Sequence, residues 1–168
     1  MAISTVYGHV SRALDFYAKD DLYFCIGRTT AWDEENIPPA PDVNIQDVEE
    51  AIAFKKVLEK KIVVPDPAGS IFYMGDMYRE VSAEDAEDEK ARWVYVSTTL
   101  TGDEVPLVSF RQVGLYSGLV VDSSVPAGKL SLLPEEVEDT GLLEVVDNRR
   151  VTHRQDDQSE KLSLIIEF

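Results

Sequence analysis

The chain has 168 residues, with 32 acidic against 16 basic side chains and a formal net charge of −16 at pH 7. A chain of this length can bury about 70% of its unfolded surface, and its 44% hydrophobic residues exclude a wholly disordered acidic protein. Because phosphate groups are bound by Lys and Arg, the acidic excess argues against nucleic acid or an anionic membrane as the main partner.

The single cysteine, Cys25, excludes an intramolecular disulfide and a thiolate metal cluster. It lies inside the apolar run at residues 22–26, so we expect a small buried hydrophobe and not a nucleophile. The first residues have neither a basic region nor an apolar stretch of signal-peptide length, and no segment approaches the ~20 apolar residues of a membrane helix. We therefore expect the protein to be made and folded in a reducing cytoplasm.

The N-terminal part of the chain predicts one helix, one strand and a long loop. Apolar residues recur at spacings of three and four between residues 4 and 18, which predicts an amphipathic helix with Ser4 or Thr5 as N-cap. The run at 22–26 is typical of a buried strand. Residues 28–44, named the proline loop here, hold Trp32 and the prolines Pro38, Pro39 and Pro41. A segment of this length without regular structure is often functional.

The rest of the chain predicts short strands. We expect a short helix at Asp47–Phe54, and either a solvated loop or a short acidic helix at the acidic run 80–89. Apolar or β-branched runs bounded by Gly, Pro and Asp turns predict strands at 57–64, 71–74, 92–100, 105–113, 115–121, 130–133, 142–146 and 161–168.

These elements predict an α+β fold that is mostly antiparallel β, with a sandwich-like sheet, an N-terminal helix and a long proline-rich loop. Turns recur about every ten residues and no βαβ alternation is present, which argues against a doubly wound sheet. We expect one structural domain over residues 1–168. Within it, residues 1–21 hold the helix, 22–44 the strand and proline loop, and 45–168 the β-rich body with the acidic loop 80–89.

The sequence contains no pattern typical of an active site. His153 lies in a polar segment and no serine sits in a nucleophile elbow, so we expect a solvated or hydrogen-bonded loop histidine. The acids at 85–89 lack the glycine and the final glutamate of an EF-hand loop, and the Gly27-Arg28-Thr29 turn lacks a phosphate-binding pattern. We therefore predict no catalytic residue, no metal and no cofactor.

The basic side chains cluster once, near residue 150. Acidic residues accompany them, so we expect an intrachain salt-bridge network in preference to nucleic-acid binding. The residues concerned are Arg149, Arg150 and Arg154, with Asp147, Asp156 and Asp157.

Several segments, in order along the chain, form a recognisable pattern. They are YFCIGRTTAW at 23–32, PPAPD at 38–42, ARWVYV at 91–96, FRQVG at 110–114, LLEVVDNR at 142–149 with Thr152 and Arg154, QSE at 158–160 and IIEF at 165–168. Together they resemble the baseplate wedge proteins of contractile-tailed bacteriophages. The familiar large wedge subunits are about twice as long, so the resemblance is to a compact version of that family.

The resemblance implies a structural virion protein without catalytic residues, located in the tail baseplate after assembly in the host cytoplasm. It implies other baseplate and tail proteins as partners, in a homo-oligomer or a heteromeric wedge, with neither nucleic acid nor a membrane. The alternatives are a head–tail connector, neck or capsid-associated protein, a tail-associated hydrolase, and an acidic mimic of nucleic acid.

The residues expected to act in structure or in an interface come from the motif segments. They are Arg28, Trp32, Pro38, Pro39, Trp93, Arg111, Arg149 and Arg154. For Trp32 we favour an intrachain anchor of the proline loop, with an interface anchor as the alternative, because Trp and Arg dominate binding hot spots. The acidic excess is interpreted as a solubilising surface that favours basic partners.

Overall fold

The computed structural model describes all residues, Met1–Phe168, and the chain divides into two compact units. Unit 1 comprises Met1–Asp20, Leu58–Ser97 and Ser163–Phe168, and unit 2 comprises Asp21–Val57 and Thr98–Leu162. Each unit is assembled from separate chain segments. The single domain expected for residues 1–168 stays a prediction.

The predicted fold class, mostly antiparallel β with one N-terminal helix, is confirmed. The strands form two five-stranded sheets, ordered β11-β7-β1-β2-β9 and β12-β6-β3-β5-β4, and a two-stranded ribbon, β10-β8. The elements are α1 (Val6–Tyr17), β1 (Tyr23–Gly27), β2 (Ala53–Lys56), β3 (Glu59–Pro65), β4 (Ile71–Tyr73), β5 (Asp76–Val81), β6 (Trp93–Thr101), β7 (Phe110–Ser117), β8 (Val120–Val121), β9 (Ser131–Leu132), a 3-10 turn (Pro134–Glu136), β10 (Val137–Asp139), β11 (Leu142–Thr152) and β12 (Ser159–Glu167).

Helix α1 in unit 1 follows the apolar spacing that predicted it. The Thr5 hydroxyl caps the helix by accepting a hydrogen bond from the Gly8 amide at 3.2 Å. At the other end, the Lys60 ammonium donates to the carbonyl oxygens of Tyr17, at 2.9 Å, and Lys19. These contacts satisfy backbone groups that a helix leaves unpaired. With 12 residues, α1 lacks the length and apolar character needed to cross a bilayer.

The acidic run 80–89 in unit 1 is mostly a series of turns, so the loop expected there is confirmed and the short helix does not form. Its carboxylates are exposed, but Ala86 is buried in the core of unit 1. Arg79 donates to Asp66 and Glu89, each at 3.0 Å. A buried alanine and a bridging arginine therefore help to hold the acidic loop in place.

Strand β5 in unit 1 was not predicted. It pairs with β3 and, through a two-residue turn at Met74 and Gly75, with β4. Both turn residues have positive φ, 49° and 98°, as a type I′ hairpin requires. The sequence does not predict β5 because Asp76–Val81 is half exposed and lacks the alternation of apolar and polar residues that is typical of a strand.

The prediction of a short helix at Asp47–Phe54 in unit 2 is wrong. Residues 47–52 are irregular, and the chain then enters β2, which pairs with β1. Val48 explains the difference, because its amide donates to the Tyr116 hydroxyl at 2.8 Å and its side chain fills a space over Gly27 and Gly114. A Cβ at Gly27 would overlap Val48 Cγ1 and lie 2.5 Å from the Glu49 carbonyl oxygen.

The core of unit 2 surrounds β1, whose five residues are all buried. Cys25 pairs with Phe54 on one side and Gly114 on the other, and is itself buried as expected. Burial raises the pKa of its thiol, which keeps it protonated. The buried cluster comprises Tyr23, Cys25, Val48, Phe54, Tyr116, Leu119 and Leu132.

Strand β11 at the edge of the unit 2 sheet is longer than predicted. It was expected to end at residue 146 but continues to Thr152, pairing Asn148 with Gln112 and Thr152 with Phe110. The sequence does not predict this extension, because the polar residues at 147–150 lack the apolar pattern that is typical of a strand. Strand β7, conversely, begins only at Phe110 and not at residue 105.

Candidate interaction surface

The proline loop begins with a tight turn that Arg28 stabilises. Arg28 has a positive φ of 56°, and its amide donates to the Glu49 carbonyl oxygen at 2.6 Å. Its guanidinium pairs with the Glu49 carboxylate and lies 3.8 Å from the centre of the Trp32 ring. Arg28 therefore links the start of the loop to residue 49 and covers one face of Trp32.

Glu50 holds the next two residues of the loop. Its carboxylate accepts hydrogen bonds from the amide and hydroxyl of Thr29, at 2.6 and 2.7 Å, and from those of Thr30, at 2.9 and 2.6 Å. These bonds, led by that from the Thr30 hydroxyl, lower the pKa of Glu50 to about 2. The carboxylate is thus ionised at neutral pH and acts as a clasp on the loop.

Trp32 is the anchor of the loop within the chain. It is 7% exposed, and its indole Nε1 donates to the Arg149 carbonyl oxygen at 2.9 Å. Its amide donates to Glu35 at 3.1 Å, and Glu35 in turn accepts from Arg111 Nε at 2.6 Å. Arg111 also donates to the Thr29 carbonyl oxygen at 2.6 Å, so that it joins both ends of this segment.

The middle of the loop is held by side chains of β11. Asn148 donates to the Pro39 carbonyl oxygen at 3.0 Å and accepts from Gln112 at 2.8 Å. Arg150 donates to the Asn36 carbonyl oxygen at 3.0 Å. Charged and amide side chains of β7 and β11 therefore fix the loop through its backbone.

Six of the eight predicted site residues lie in this loop or contact it. Arg28, Trp32, Pro39, Arg111 and Arg149 all belong to the network, and Pro38 is half-buried beside Pro39. Arg149 pairs with Asp147 at 2.6 Å, as part of the expected salt-bridge network. Whether any of them contacts another subunit stays a prediction.

Arg154 lies elsewhere in unit 2 and departs from the predicted network. Its guanidinium donates to the carbonyl oxygens of Val105 at 2.9 Å, Pro106 at 3.0 Å and Gly102 at 2.9 Å, and not to Asp156 or Asp157. Burial lowers the pKa of this guanidinium. Arg154 therefore fixes the backbone of the segment between β6 and β7, and its guanidinium binds carbonyl oxygens there in place of the carboxylates nearby in sequence.

Trp93 belongs to unit 1 and has no part in the proline loop. The Arg92 guanidinium lies 4.7 Å from the centre of the Trp93 ring and pairs with Glu167 at 2.7 Å. This arrangement ties the last residues of the chain to β6, since Phe168 also donates its amide to the Arg92 carbonyl oxygen at 3.0 Å.

His153 was expected to be either solvated or hydrogen-bonded, and it is hydrogen-bonded. Its Nδ1 lies 2.8 Å from the Ser109 hydroxyl. No carboxylate is hydrogen-bonded to the ring, whereas a catalytic triad uses one to orient the imidazole. The pair joins the loop before β7 to the segment after β11.

Sequence reasoning missed the acidic and amide partners of the loop, namely Glu35, Glu49, Glu50, Gln112 and Asn148. It also missed Lys55, which is 6% exposed and donates to Glu104 at 2.6 Å and to Ser131 at 3.0 Å. Most of these residues lie more than 20 positions along the chain from the residues that they bind, so local sequence patterns cannot predict the contacts.

The outer side of the loop forms an open groove of about 360 Å³, named the loop groove here. It is lined by Arg28, Trp32, Asp33, Glu34, Ile37 and Pro39. Ile37 is 67% exposed and contributes an apolar side chain to this groove. The groove is thus an apolar surface with charged residues beside it.

Comparison with known proteins agrees with the resemblance seen in the motifs. The whole chain, residues 1–168, matches the family described as baseplate wedge 3 tail fiber network component. It is also 36% identical over 173 residues to "Virion protein 3" of Enterococcus phage phiEF24C, covering 99% of this chain and 94% of that protein. The chain therefore belongs to the baseplate wedge 3 tail fiber network component family, a family of structural proteins of the bacteriophage virion.

Proposed function

We propose that the protein is a wedge-type assembly subunit of a contractile-tail baseplate and acts through protein–protein contacts with the tail fibre network. The observation that carries this proposal is the family match over the whole chain. The structure supports it, because Arg28, Trp32 and Arg111 hold an exposed loop in place.

A pre-ordered loop suits an assembly subunit. Binding a partner requires the loss of conformational freedom in every segment that becomes fixed at the interface. The proline loop is already tied at residues 29, 36 and 39, so little further ordering is needed when a neighbour docks on it. The high negative charge, −16, keeps free subunits apart before assembly and favours partners with basic surfaces.

The proposal includes a purely structural role, without enzymatic turnover, and assembly in the host cytoplasm. It also includes several partners in one baseplate, either as copies of this chain or as different proteins. A location in the head–tail connector, neck or capsid is the alternative to be tested.

The test is the location and necessity of the protein in particles. We expect mass spectrometry of purified virions to detect it at a fixed ratio to other baseplate proteins, and cryo-electron microscopy to place its density in the baseplate. A phage with a nonsense codon in this gene should form heads but no functional baseplate, with rescue by the gene in trans. Absence of the protein from virions, or density at the neck or capsid, would overturn the proposal.

A further inference from the structure

We propose that the loop groove binds a Lys- or Arg-bearing segment of another virion protein, through Asp33, Glu34 and Ile37. This inference rests on the proposed function, since it names a contact that the subunit makes in the baseplate. It concerns the groove alone, whose lining residues all belong to the proline loop.

The first argument is charge. Most ionised side chains that hold the loop have a partner: Glu35 pairs with Arg111, Glu49 with Arg28, and Asp147 with Arg149. Asp33 and Glu34 line the groove and make neither an ion pair nor a side-chain hydrogen bond. Arg28, the one cation that lines the groove, is neutralised by Glu49. The groove therefore presents two adjacent unpaired carboxylates to a ligand.

The second argument is the apolar surface beside those carboxylates. Ile37 is 67% exposed, and Pro39 and the edge of Trp32 complete the lining. Lys and Arg side chains combine an apolar stem with a cationic head, so that the stem can cover Ile37 while the head reaches the carboxylates. An anionic or wholly apolar partner would leave Asp33 and Glu34 unpaired at the interface, which opposes binding.

The third argument is that the groove is formed before binding. The indole bond to Arg149, the Arg150 bond to Asn36 and the Asn148 bond to Pro39 fix the backbone on both sides of Ile37. Arg150 itself is occupied with that carbonyl and does not line the groove. A preorganised site binds with a smaller entropy loss than a flexible one.

The test is competition between variant and wild-type chains for places in the virion. Both are supplied in trans to a phage that lacks the gene, and their ratio in purified particles is measured by mass spectrometry. The Asp33→Asn/Glu34→Gln variant removes both charges with little change in shape. The Asp156→Asn/Asp157→Asn variant is the matched control, because it removes two adjacent exposed charges elsewhere in unit 2.

We expect the groove variant to be under-represented in particles by about tenfold, since each exposed charge pair contributes modestly and two are lost. Ile37→Ser should be under-represented as well, and the control should enter at the wild-type ratio. Circular dichroism should show the same folded spectrum for all variants, because each altered side chain is exposed. Equal entry of the groove variant and the control would overturn the inference and leave the proposed function intact.

A photocrosslinker at position 37 identifies the occupant directly. With p-benzoylphenylalanine there, irradiated virions should yield a crosslinked peptide from a different virion protein, with Lys or Arg within three residues of the link. A link to a second copy of this chain, a link to a segment without a basic residue, or no intermolecular link would each overturn the inference. Absence of the chain from virions would instead overturn the proposed function, and this inference with it.

Discussion

Replacing Trp32 by alanine tests whether this residue anchors the proline loop. The side chain is 7% exposed, donates to the Arg149 carbonyl oxygen at 2.9 Å, and is covered by Arg28 at 3.8 Å. Removing a buried Trp costs about 3–5 kcal/mol, a range that includes cavity formation. Because the loop lies at the surface and relaxes in part, we expect the free energy of unfolding to fall by about 3 kcal/mol.

Trp32→Phe separates the packing from the hydrogen bond. It keeps an aromatic ring under Arg28 but leaves the Arg149 carbonyl oxygen without its donor. We expect a loss of about 1–2 kcal/mol, close to that of one hydrogen bond and a little apolar area. Ile37→Ala is the control in the same loop, because that side chain is 67% exposed and its removal should change stability by less than about 0.5 kcal/mol.

Urea unfolding followed by far-UV circular dichroism measures these differences, and entry into virions measures assembly. If Trp32→Ala leaves stability unchanged but the variant fails to enter particles, Trp32 is an interface anchor and not an intrachain one. If the variant is as stable as the wild type and assembles normally, both roles assigned to Trp32 are refuted.

Three further changes test other parts of the structure. Gly27→Ala should lower the free energy of unfolding in urea by about 2 kcal/mol, because its Cβ would lie 2.5 Å from the Glu49 carbonyl oxygen. Gly8→Ala in α1 is the control, because its Cβ would lie 3.4 Å from the Thr5 hydroxyl, and it should raise the free energy of unfolding by about 0.5 kcal/mol. Lys55→Met should lose about 3 kcal/mol in thermal unfolding, because it leaves the Glu104 carboxylate without its cation. The added change Glu104→Gln removes that charge but keeps an acceptor for the Thr101 amide, so it should restore most of the loss. The pKa of Glu50 is lowered from 4.5 to about 2 in the folded protein, so its stabilising effect is present above pH 4.5 and is lost as the pH falls towards 2. Urea unfolding measured between pH 6 and pH 3 should therefore show a steeper loss of unfolding free energy for the wild type than for Glu50→Gln. Equal slopes would contradict the stabilising role assigned to the Glu50 carboxylate.

Local sequence patterns predicted the elements whose core contacts repeat along the chain. Helix α1 follows the three- and four-residue spacing of Val10, Ala13 and its neighbours, and β1 is a continuous apolar run because both of its faces are buried. The class of fold also followed from the sequence, and the motif residues Arg28 and Trp32 lie in the network that holds the proline loop.

The errors arose where distant residues decide the local structure. Residues 47–54 have helical spacing, but two distant contacts fix Val48 outside a helix. Its amide donates to the hydroxyl of Tyr116, 68 positions away, and its side chain packs over Gly27 and Gly114. Strand β11 continues through polar residues because Gln112 and the proline loop bind their side chains. Neither Glu50 nor Lys55 has a partner nearby in sequence, so their roles required the structure.

The way in which the proline loop is held has a consequence for how it can vary. Arg111, Asn148 and Arg150 bind the carbonyl oxygens of Thr29, Pro39 and Asn36, and a carbonyl oxygen is the same whichever side chain its residue bears. Residues of the sheet therefore set part of the backbone position together with the anchor Trp32, whereas the side chains of Asp33, Glu34 and Ile37 make no contact that holds the loop and can change without loss of its shape. Such a loop can acquire a different binding surface through single substitutions, so that a new neighbour in the particle does not require a new fold.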